Sequence, residues 1–419
     1  MTSAQLESSL SLTTPTLTCD LAIVGGGIVG ATLAAALKES GLNIIIIEAQ
    51  TQPKAANKPQ AYALSLLSGR IFESIGVWKK ILPQIGKFSA IRLSDADHPE
   101  VVKFQTSDLG TEHLGYVGEH RVILAALQDE IAHFPQIQWL CPAEVLKVEY
   151  QDKAASLTVK IDGKYQKIDS KLVIGADGAR SPIRQAAGIT TQGWKYWQSC
   201  VAFTIKHHAP RNDIAFERFW YSGPMGILPL PGNRCQIVWT APHAQAKEIL
   251  ELDEKTFLAR LYERTGGLLG ELELVSDRFL FPVQLMQSER YTKSRLALVG
   301  DAAHCCHPLG GQGLNLGIRD AAALAEVLQT AHQQGEDIGE LAVLKRYERW
   351  RKQENWVILG FTDFLDRLFS NQWWLLMGVR RLGLWLLNSI PFVKRLSLQL
   401  MTGLLGKMPQ LVRENYPTG

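Results

Sequence analysis

Three stretches of the chain carry residue types whose spacing could do chemistry. The first is Gly25-x-Gly27-x-x-Gly30, which leads to Glu48, 18 positions past Gly30. It follows an apolar run at 19–24 and opens a small-residue segment at 31–40. In that setting Gly25 permits a tight turn. Gly27 lets a pyrophosphate approach the backbone, and Gly30 lets a helix pack on the strand. The phosphates would sit at the helix N-terminus, where free N–H groups and the helix dipole favour anions. Glu48, at a strand end, can accept hydrogen bonds from ribose hydroxyls. A glycine-rich turn without a ligand would not need this full context. The motif fits a dinucleotide and by itself does not separate FAD from NAD.

The second stretch is Gly175-Ala176-Asp177-Gly178-Ala179-Arg180-Ser181-Pro182-Ile183-Arg184. A strand runs into an acidic turn, and Ser181 can cap the next helix. Taken alone, Asp-Gly is also ordinary turn chemistry. The third begins at Gly300-Asp301-Ala302-Ala303-His304 and continues from His307 through Pro308, Gly310, Gly311, Gln312, Gly313, Leu314 and Asn315 to Asp320. Asp301 can take hydrogen bonds from a polyol chain. The glycines before a helix make a second anion-friendly N-terminus. His304 and His307 are expected to be structural, because proximity alone does not establish acid–base geometry. Adjacent Cys305 and Cys306 cannot readily chelate one ion, so no metal is expected. Glu217, Arg218 and Trp220 lie on an expected strand, where alternation sends only some of them to any pocket. Strand packing is their default role.

The elements that must position these residues follow from periodicity. Residues 19–24, 43–48, 172–174 and 295–299 read as buried strands of a parallel sheet. Helices are expected near 31–40, 64–75, 122–131, 318–331 and 341–358. From 198 to 285 the texture alternates, with aromatic and β-branched residues, and predicts a mostly antiparallel sheet interrupted by a helix near 252–264. The order is βαβ, insertion, sheet, βα and helical tail, so the first domain is discontinuous. Residues 1–17 are expected to form a disordered leader, 18–80, 116–190 and 286–360 the dinucleotide domain, and 81–115 and 191–285 a substrate domain. Residues 361–419 are expected to form a helical region, for which a membrane contact is one of two readings.

The composition is that of a globular chain: 419 residues, 46% hydrophobic and 20% charged. Six cysteines show no CxxC spacing and read as free thiols of a reducing compartment. The N-terminus lacks the charged and apolar regions of a secretory signal. The 44 basic and 41 acidic residues give no reason to expect nucleic acid as a partner. Their distribution is uneven. Between 371 and 413 the charges are all basic: Arg380, Arg381, Lys394, Arg395, Lys407 and Arg413. Without these six, the rest has 38 basic against 41 acidic residues. Leu375, Val379, Leu382 and Leu386 fall on one helical stripe, with Arg380 and Arg381 off it and Leu384 facing the other way. This is either an interfacial surface for anionic lipid, with tryptophan near the headgroups, or a helical cap packed on the body. Its uncharged runs are too short to span a bilayer.

Together, the three motifs resemble the FAD-dependent aromatic hydroxylases of the para-hydroxybenzoate hydroxylase fold. The His307–Asp320 string matches the subfamily that hydroxylates prenylated phenols in ubiquinone biosynthesis. Further matches are Ala63-Leu64-Ser65 with Gly76-x-Trp78, and Gly115-Tyr116-Val117-x-Glu119-x-Arg121. Ala215-Phe216-Glu217-Arg218-Phe219, Gly223-Pro224 and Leu228-Pro229-Leu230 also fit. The resemblance covers roughly residues 18 to 320 and the tail more loosely. It implies an α/β (α+β) fold: a discontinuous Rossmann-like FAD-binding domain, an inserted mostly antiparallel β-sheet substrate domain and a C-terminal helical region. Gly25, Gly27, Gly30 and Glu48 would hold the ADP half of FAD, with Arg121 near the pyrophosphate. Asp177 would serve both FAD and NAD(P)H, and Asp301 would bind the ribitol. Pro308, Gly311 and Gln312 would form the flavin and substrate-side loop. Gly313, Leu314 and Asn315 would meet the pyrimidine end of the ring. One departure is Gln60, where the family usually has an arginine; Arg70 and Lys58 are the nearby cations that could stand in.

In such enzymes NAD(P)H visits transiently and reduces the flavin, O2 adds at its C4a position, and the hydroperoxide hydroxylates an electron-rich ring. The implied partners are a prenylated phenol, O2 and a membrane surface, at the inner face and on the cytoplasmic side. A biosynthetic complex or homodimer is compatible with this. The competing functions are a flavin-dependent reductase or epoxidase of an isoprenoid or polyketide substrate, and a non-enzymatic binder of a prenylated partner. The halogenase pattern WxWxIP is not matched by Gly193-Trp194-Lys195-Tyr196-Trp197.

Overall fold

The computed structural model describes residues 15–95, 101–371 and 373–416. Most of the leader expected at 1–17 lies outside them, and Leu17 already belongs to the first strand, Leu17–Val24. That strand is central in a sheet whose parallel core runs Leu296–Leu298, Lys164–Gly175, Leu17–Val24, Ile44–Ile47 and Ile137–Leu140. The four isoleucines of Ile44–Ile47 are all buried, as expected where both faces of a parallel sheet are covered.

The register brings the motifs together. Val24 lies opposite Gly175 on one side and Ile47 on the other, and Gly175 lies opposite Leu298. The loops carrying Gly25, Glu48, Asp177 and Asp301 therefore leave the sheet at one edge, the carboxyl end of parallel strands, where ligands bind in open α/β sheets.

A second sheet is mostly antiparallel and is built around the 17-residue strand Thr191–His207, paired with Arg234–Pro242 and Phe279–Ser288. Strand Ala90–Asp95 joins it by a parallel pairing with Ile214–Phe219. The helix expected near 252–264 is one of two. Asp253 caps Glu254–Thr265 by accepting from the Thr256 N–H at 3.0 Å, and His243–Glu251 precedes it. The polar face of the first helix hides its period, since only Ala246 and Ile249 are buried.

The helix expected at 318–331 begins earlier, at Gln312, and runs to Gln333. Gly313 and Gly317 lie inside it, against the usual cost of glycine in a helix. At Gly317 a Cβ would come within 2.7 Å of Val29 and 3.2 Å of the Gly300 Cα, so the bare backbone permits close packing. Asp320 on this helix is completely buried. Its carboxylate accepts from the Gly300 N–H (3.1 Å) and Arg351 Nε (2.8 Å), and bonds His304 Nε2 (2.5 Å) and Asn355 Nδ2 (3.1 Å).

Helix Leu341–Phe369 runs unbroken past residue 360, and Trp374–Ser389, Pro391–Thr402 and Gln410–Asn415 follow. In the tail, Leu384 faces away from the stripe, as its position in the period implies. Arg380 and Leu384 face inward, Arg380 in an ion pair with Asp95 at 2.7 Å, while Leu375, Val379 and Leu382 face outward. The expected apolar stripe therefore does not pack on the body. The basic charge is also partly paired with carboxylates of the body, although Arg395, Lys407 and Arg413 stay exposed. Lys394 pairs with Asp108 at 2.8 Å, and Lys407 and Arg413 each reach Glu326 at 3.4 Å. Among the described residues only Arg381 and Arg395 of the six carry no ion pair.

Asp320→Asn keeps the volume but takes from the buried Arg351 the one fully buried carboxylate it pairs with, leaving only the half-buried Glu354. It should cost about 3–5 kcal/mol, read as a lower urea midpoint. Burial raises the Asp320 carboxyl, but His304 and Arg351 outweigh it and hold it at about 2. A folded value below the unfolded one gives stability that is complete above about pH 4 and lost as pH falls toward 2. Acid unfolding of the variant should accordingly be less steep in that window.

Candidate active site

A cavity of about 1220 Å³ runs from the sheet edge to the tail helices. Gly27, Ile28, Ala176 and Gly178 at the sheet edge line it. So do Asp301, Pro308 and Gly310–Leu314 of the third motif, and Phe361, Leu365, Leu384, Leu387 and Leu400 of the C-terminal helices.

Each glycine of the first motif has its own constraint. Gly25 has φ +108°, and a Cβ there would lie 2.3 Å from the Ala176 carbonyl oxygen. A Cβ on Gly30 would lie 2.1 Å from the Gly25 carbonyl oxygen. Gly27, the N-cap of helix Ile28–Ala36, has nothing within 4 Å of its Cβ position. The first two make the fold; the third borders open space at a helix N-terminus. Glu48 accepts from the Gly26 N–H at 2.8 Å and the Gln50 N–H at 2.9 Å, so it braces this loop from behind. Arg121 lies outside the cavity wall, 61% exposed, and pairs with Glu119 at 3.1 Å.

Asp177 accepts from the Ile183 N–H at 3.1 Å, and its other oxygen is buried without a partner. Burial pushes its carboxyl up despite Ser181 and Ile183. Ser181 caps the following helix by accepting from the Arg184 N–H at 2.9 Å. The Arg184 guanidinium donates to the Ala302 and Ala179 carbonyls at 2.8 and 2.9 Å and ties the second motif to the third. Sequence reasoning missed that tie, which no spacing signals.

Asp301 is exposed, but to the cavity. Its carboxylate makes no hydrogen bond among the described residues, and burial pushes it up in pKa while His304 opposes this. Gly310 and Gly311 both have positive φ, at 65° and 61°, and turn the chain into helix Gln312–Gln333. The first N–H groups of that helix, Gly313 and Leu314 among them, have no acceptor within it. Gln312 donates to the Gly310 and Met401 carbonyls at 3.1 and 3.2 Å. The Asn315 amide is fully used: it accepts from the Ser65 N–H and Ser68 hydroxyl, and donates to the Ala63 and Gly311 carbonyls, all within 2.9 Å. Asn315 is a strut that fixes the loop against strand Ala61–Leu64.

His304 and His307 are buried and stand outside the cavity wall. His307 Nδ1 accepts from the Leu309 N–H at 3.3 Å, and its Nε2 lies 3.4 Å from Asp366. Gln60 lines the cavity and accepts from the Tyr62 hydroxyl at 2.8 Å. Neither proposed stand-in reaches the wall: Arg70 lies over the Tyr416 ring at 4.9 Å, and Lys58 does not line the cavity. Glu217, read as strand packing, faces the cavity instead. Its alternation was legible, but which face of the strand is the wet one was not.

The wall fits a flavin dinucleotide by its donor set. Open space at a helix N-terminus suits a pyrophosphate. The unpartnered Asp301 suits a polyol. A second helix N-terminus suits an electron-rich ring edge.

Comparison with known proteins agrees with this fit. A family model described as an FAD binding domain matches residues 18–362. An uncharacterised protein of Synechocystis is 57% identical over 94% of this chain and 95% of its own length. The ubiquinone hydroxylase UbiL of Rhodospirillum rubrum is 36% identical over 93% of this chain and 91% of its own. Among solved structures, p-nitrophenol 4-monooxygenase PnpA from Pseudomonas putida superposes with a TM-score of 0.80. At 19% identity, it covers 94% of this chain and all of that one, which bears on the fold alone. The chain belongs to the FAD-binding monooxygenase family, in the branch of the ubiquinone-biosynthesis hydroxylases.

Proposed function

We propose that this protein hydroxylates the aromatic ring of a prenylated phenol on the way to a ubiquinone- or plastoquinone-type quinone, with NAD(P)H as reductant. The observation that carries this is one cavity that joins the dinucleotide loops to an apolar end inside the tail helices. The balanced reaction is NAD(P)H + H⁺ + O2 + ArH → NAD(P)⁺ + H2O + ArOH. FAD, when bound, supplies the activation of O2 and the oxygen transfer; the protein supplies binding and orientation. Gly27 leaves room for the pyrophosphate, and Arg121, outside the wall, reaches it only by leaving its pair with Glu119. Asp301 accepts from the ribitol hydroxyls. Asp177 serves the approach of NAD(P)H. Pro308, Gly311 and Gln312 form the wall between ring and substrate, and the N–H groups of Gly313 and Leu314 hold negative charge at the ring edge. Phe361, Leu365, Leu384 and Leu387 hold the prenyl chain and exclude water. In this reading the parallel sheet is the FAD domain and the antiparallel sheet the substrate domain.

The tail supports a membrane surface as the source of the substrate. Trp374 and Phe392 are each 73% exposed, next to outward Leu375, Val379 and Leu382. No described helix is long and apolar enough to cross a membrane. The contact proposed is therefore peripheral, at the inner face on the cytoplasmic side, and led by the apolar stripe, since four of the six basic residues are engaged in ion pairs.

Incubation of the FAD-loaded protein with NAD(P)H, a prenylated phenol and ¹⁸O2 tests the function. The expected result is substrate-stimulated NAD(P)H oxidation and a product carrying one ¹⁸O. A reduced product without ¹⁸O assigns the reductase alternative, and binding without turnover assigns the non-enzymatic one. Gly27→Ala should keep the thermal midpoint of the FAD-free protein, yet weaken FAD about tenfold or more in a fluorescence titration. For the tail, co-sedimentation with anionic vesicles should survive about 0.5 M salt, where surface charge is screened within a few ångström. It should drop on replacing Trp374 and Phe392 with alanine. Absence of binding at low salt would refute the membrane contact.

A further inference from the structure

Among the described residues, two carboxylates line the cavity, Asp301 and Glu217. The reading above gives Asp301 to the cofactor. Glu217 has no role in it. It lies on strand Ile214–Phe219. Ala215 and Phe219, two positions either side, pack in one cluster with Leu309, while Phe216 packs against another. Arg218 points away and donates to the Thr265 carbonyl at 3.1 Å. Across the strand pair Glu217 faces Gly226, whose missing side chain leaves the carboxylate unflanked; a Cβ there would lie 3.8 Å from Glu217 Oε2.

The carboxylate is thus held beside the Pro308–Gly311 loop with few partners. Its Oε2 accepts from the Gly310 N–H at 3.3 Å, and no cation pairs with it among the described residues. A carboxylate has about four acceptor positions, so most of its capacity faces the cavity. Burial pushes it up to about 7, with the Gly310 N–H opposing. The charged and titratable neighbours do not compensate it. Cys200, on strand Thr191–His207, is itself raised to about 12 by burial. Arg92, on the adjacent strand, lies over the Phe216 ring, and Asp95 is taken by Arg380.

We propose that Glu217 is the proton acceptor for the substrate's phenol hydroxyl. The proposal rests on the hydroxylase reading. The phenol O–H bond breaks heterolytically: the proton goes to the carboxylate and the electron pair stays on the phenol oxygen. The ring then meets the electrophilic oxygen as a phenolate. Once the ring has gained oxygen and released its hydrogen as a proton, which leaves in the water formed from the second oxygen atom, Glu217 returns its own proton to the phenolate oxygen. No electrons are exchanged at Glu217. A base that titrates near the working pH suits this task. The bland alternative is that Glu217 only braces Gly310.

Glu217→Gln separates the two, because glutamine keeps an acceptor for the Gly310 N–H and loses the titration. In the FAD-loaded protein, the variant should lower kcat for hydroxylation about a hundredfold. It should also remove an acid limb that the wild-type profile shows near pH 7. A second readout needs no turnover: a prenylated nitrophenol, coloured as the phenolate, is titrated on the oxidised protein without NAD(P)H. In the wild type its ionisation should spread over two steps, since the phenol and the carboxylate share one proton and two like charges in an apolar cavity resist ionising together; in the variant it should collapse to a single step. An unchanged kcat, acid limb and nitrophenol titration in Glu217→Gln would overturn the proposal. If the variant fails to hold FAD, a wild-type kcat that is flat between pH 5.5 and 8.5 overturns it equally. A wild-type protein that gives no ¹⁸O product overturns the hydroxylase reading itself, whereas ¹⁸O product formed equally by wild type and variant overturns Glu217 alone.

Discussion

The site's geometry depends on one buried carboxylate. Asp320 joins Gly300 and His304, just past a strand end, to Arg351 and Asn355 on helix Leu341–Phe369. Its own helix, Gln312–Gln333, begins in the cavity wall. Three elements far apart in sequence are thus clamped at one fully buried point. Such a cluster is costly to desolvate and is held only because every oxygen is bonded. The clamp fixes where the strand-end loop stands relative to the helix N-terminus. A site of this kind tolerates little looseness in its supports.

Two aspartates of one motif meet opposite fates for the same reason. Asp320 has partners on every side, and its carboxyl is held low. Asp301, nineteen residues earlier, faces a cavity without a hydrogen-bond partner among the described residues, and its carboxyl is pushed up. Burial acts on both; only the neighbouring donors differ. The satisfied group builds the frame, and the unsatisfied one is the acceptor a ligand hydroxyl can use. The same contrast separates Asn315, whose amide is fully spent, from Glu217, whose carboxylate is barely used.

What could be read in the sequence was the part set by local backbone rules. Parallel strands show as apolar runs, and turns such as Gly25 require glycine. The convergence of the three motifs followed from that. Periodicity put the start of helix Gln312–Gln333 at 318, because Gly313 and Gly317 argue against a helix unless the Gly300 backbone lies opposite; the glycine run alone marked an N-terminus near Gly313. Asn315 could be placed at the site but not told from a ligand contact, since its partners Ala63, Ser65 and Ser68 come from about 250 positions away. The charge of the tail was legible only in part for the same reason: Asp95, Asp108 and Glu326, which offset about half of it, come from elsewhere in the chain. Period alone places residues on faces. It does not say what each face meets.

The tail is where that gap matters most. Helix Trp374–Ser389 buries Arg380 against Asp95 and leaves a leucine and valine stripe outside. A buried ion pair is seldom better than apolar packing of the same volume. Turning the stripe inward would therefore bury more apolar area, at roughly 25 cal/mol for each Å². The observed orientation forgoes that gain. It keeps Leu384 and Leu387 on the cavity and Arg380 anchored beside Phe369, which stacks on Phe219 at 3.9 Å. One short helix thereby carries two apolar faces, one closing the cavity and one outside. With both faces apolar, a prenyl chain could pass from an outer hydrocarbon surface to the cavity along a single element. Under the peripheral-membrane proposal, the inward arginine is what holds that two-faced helix in place.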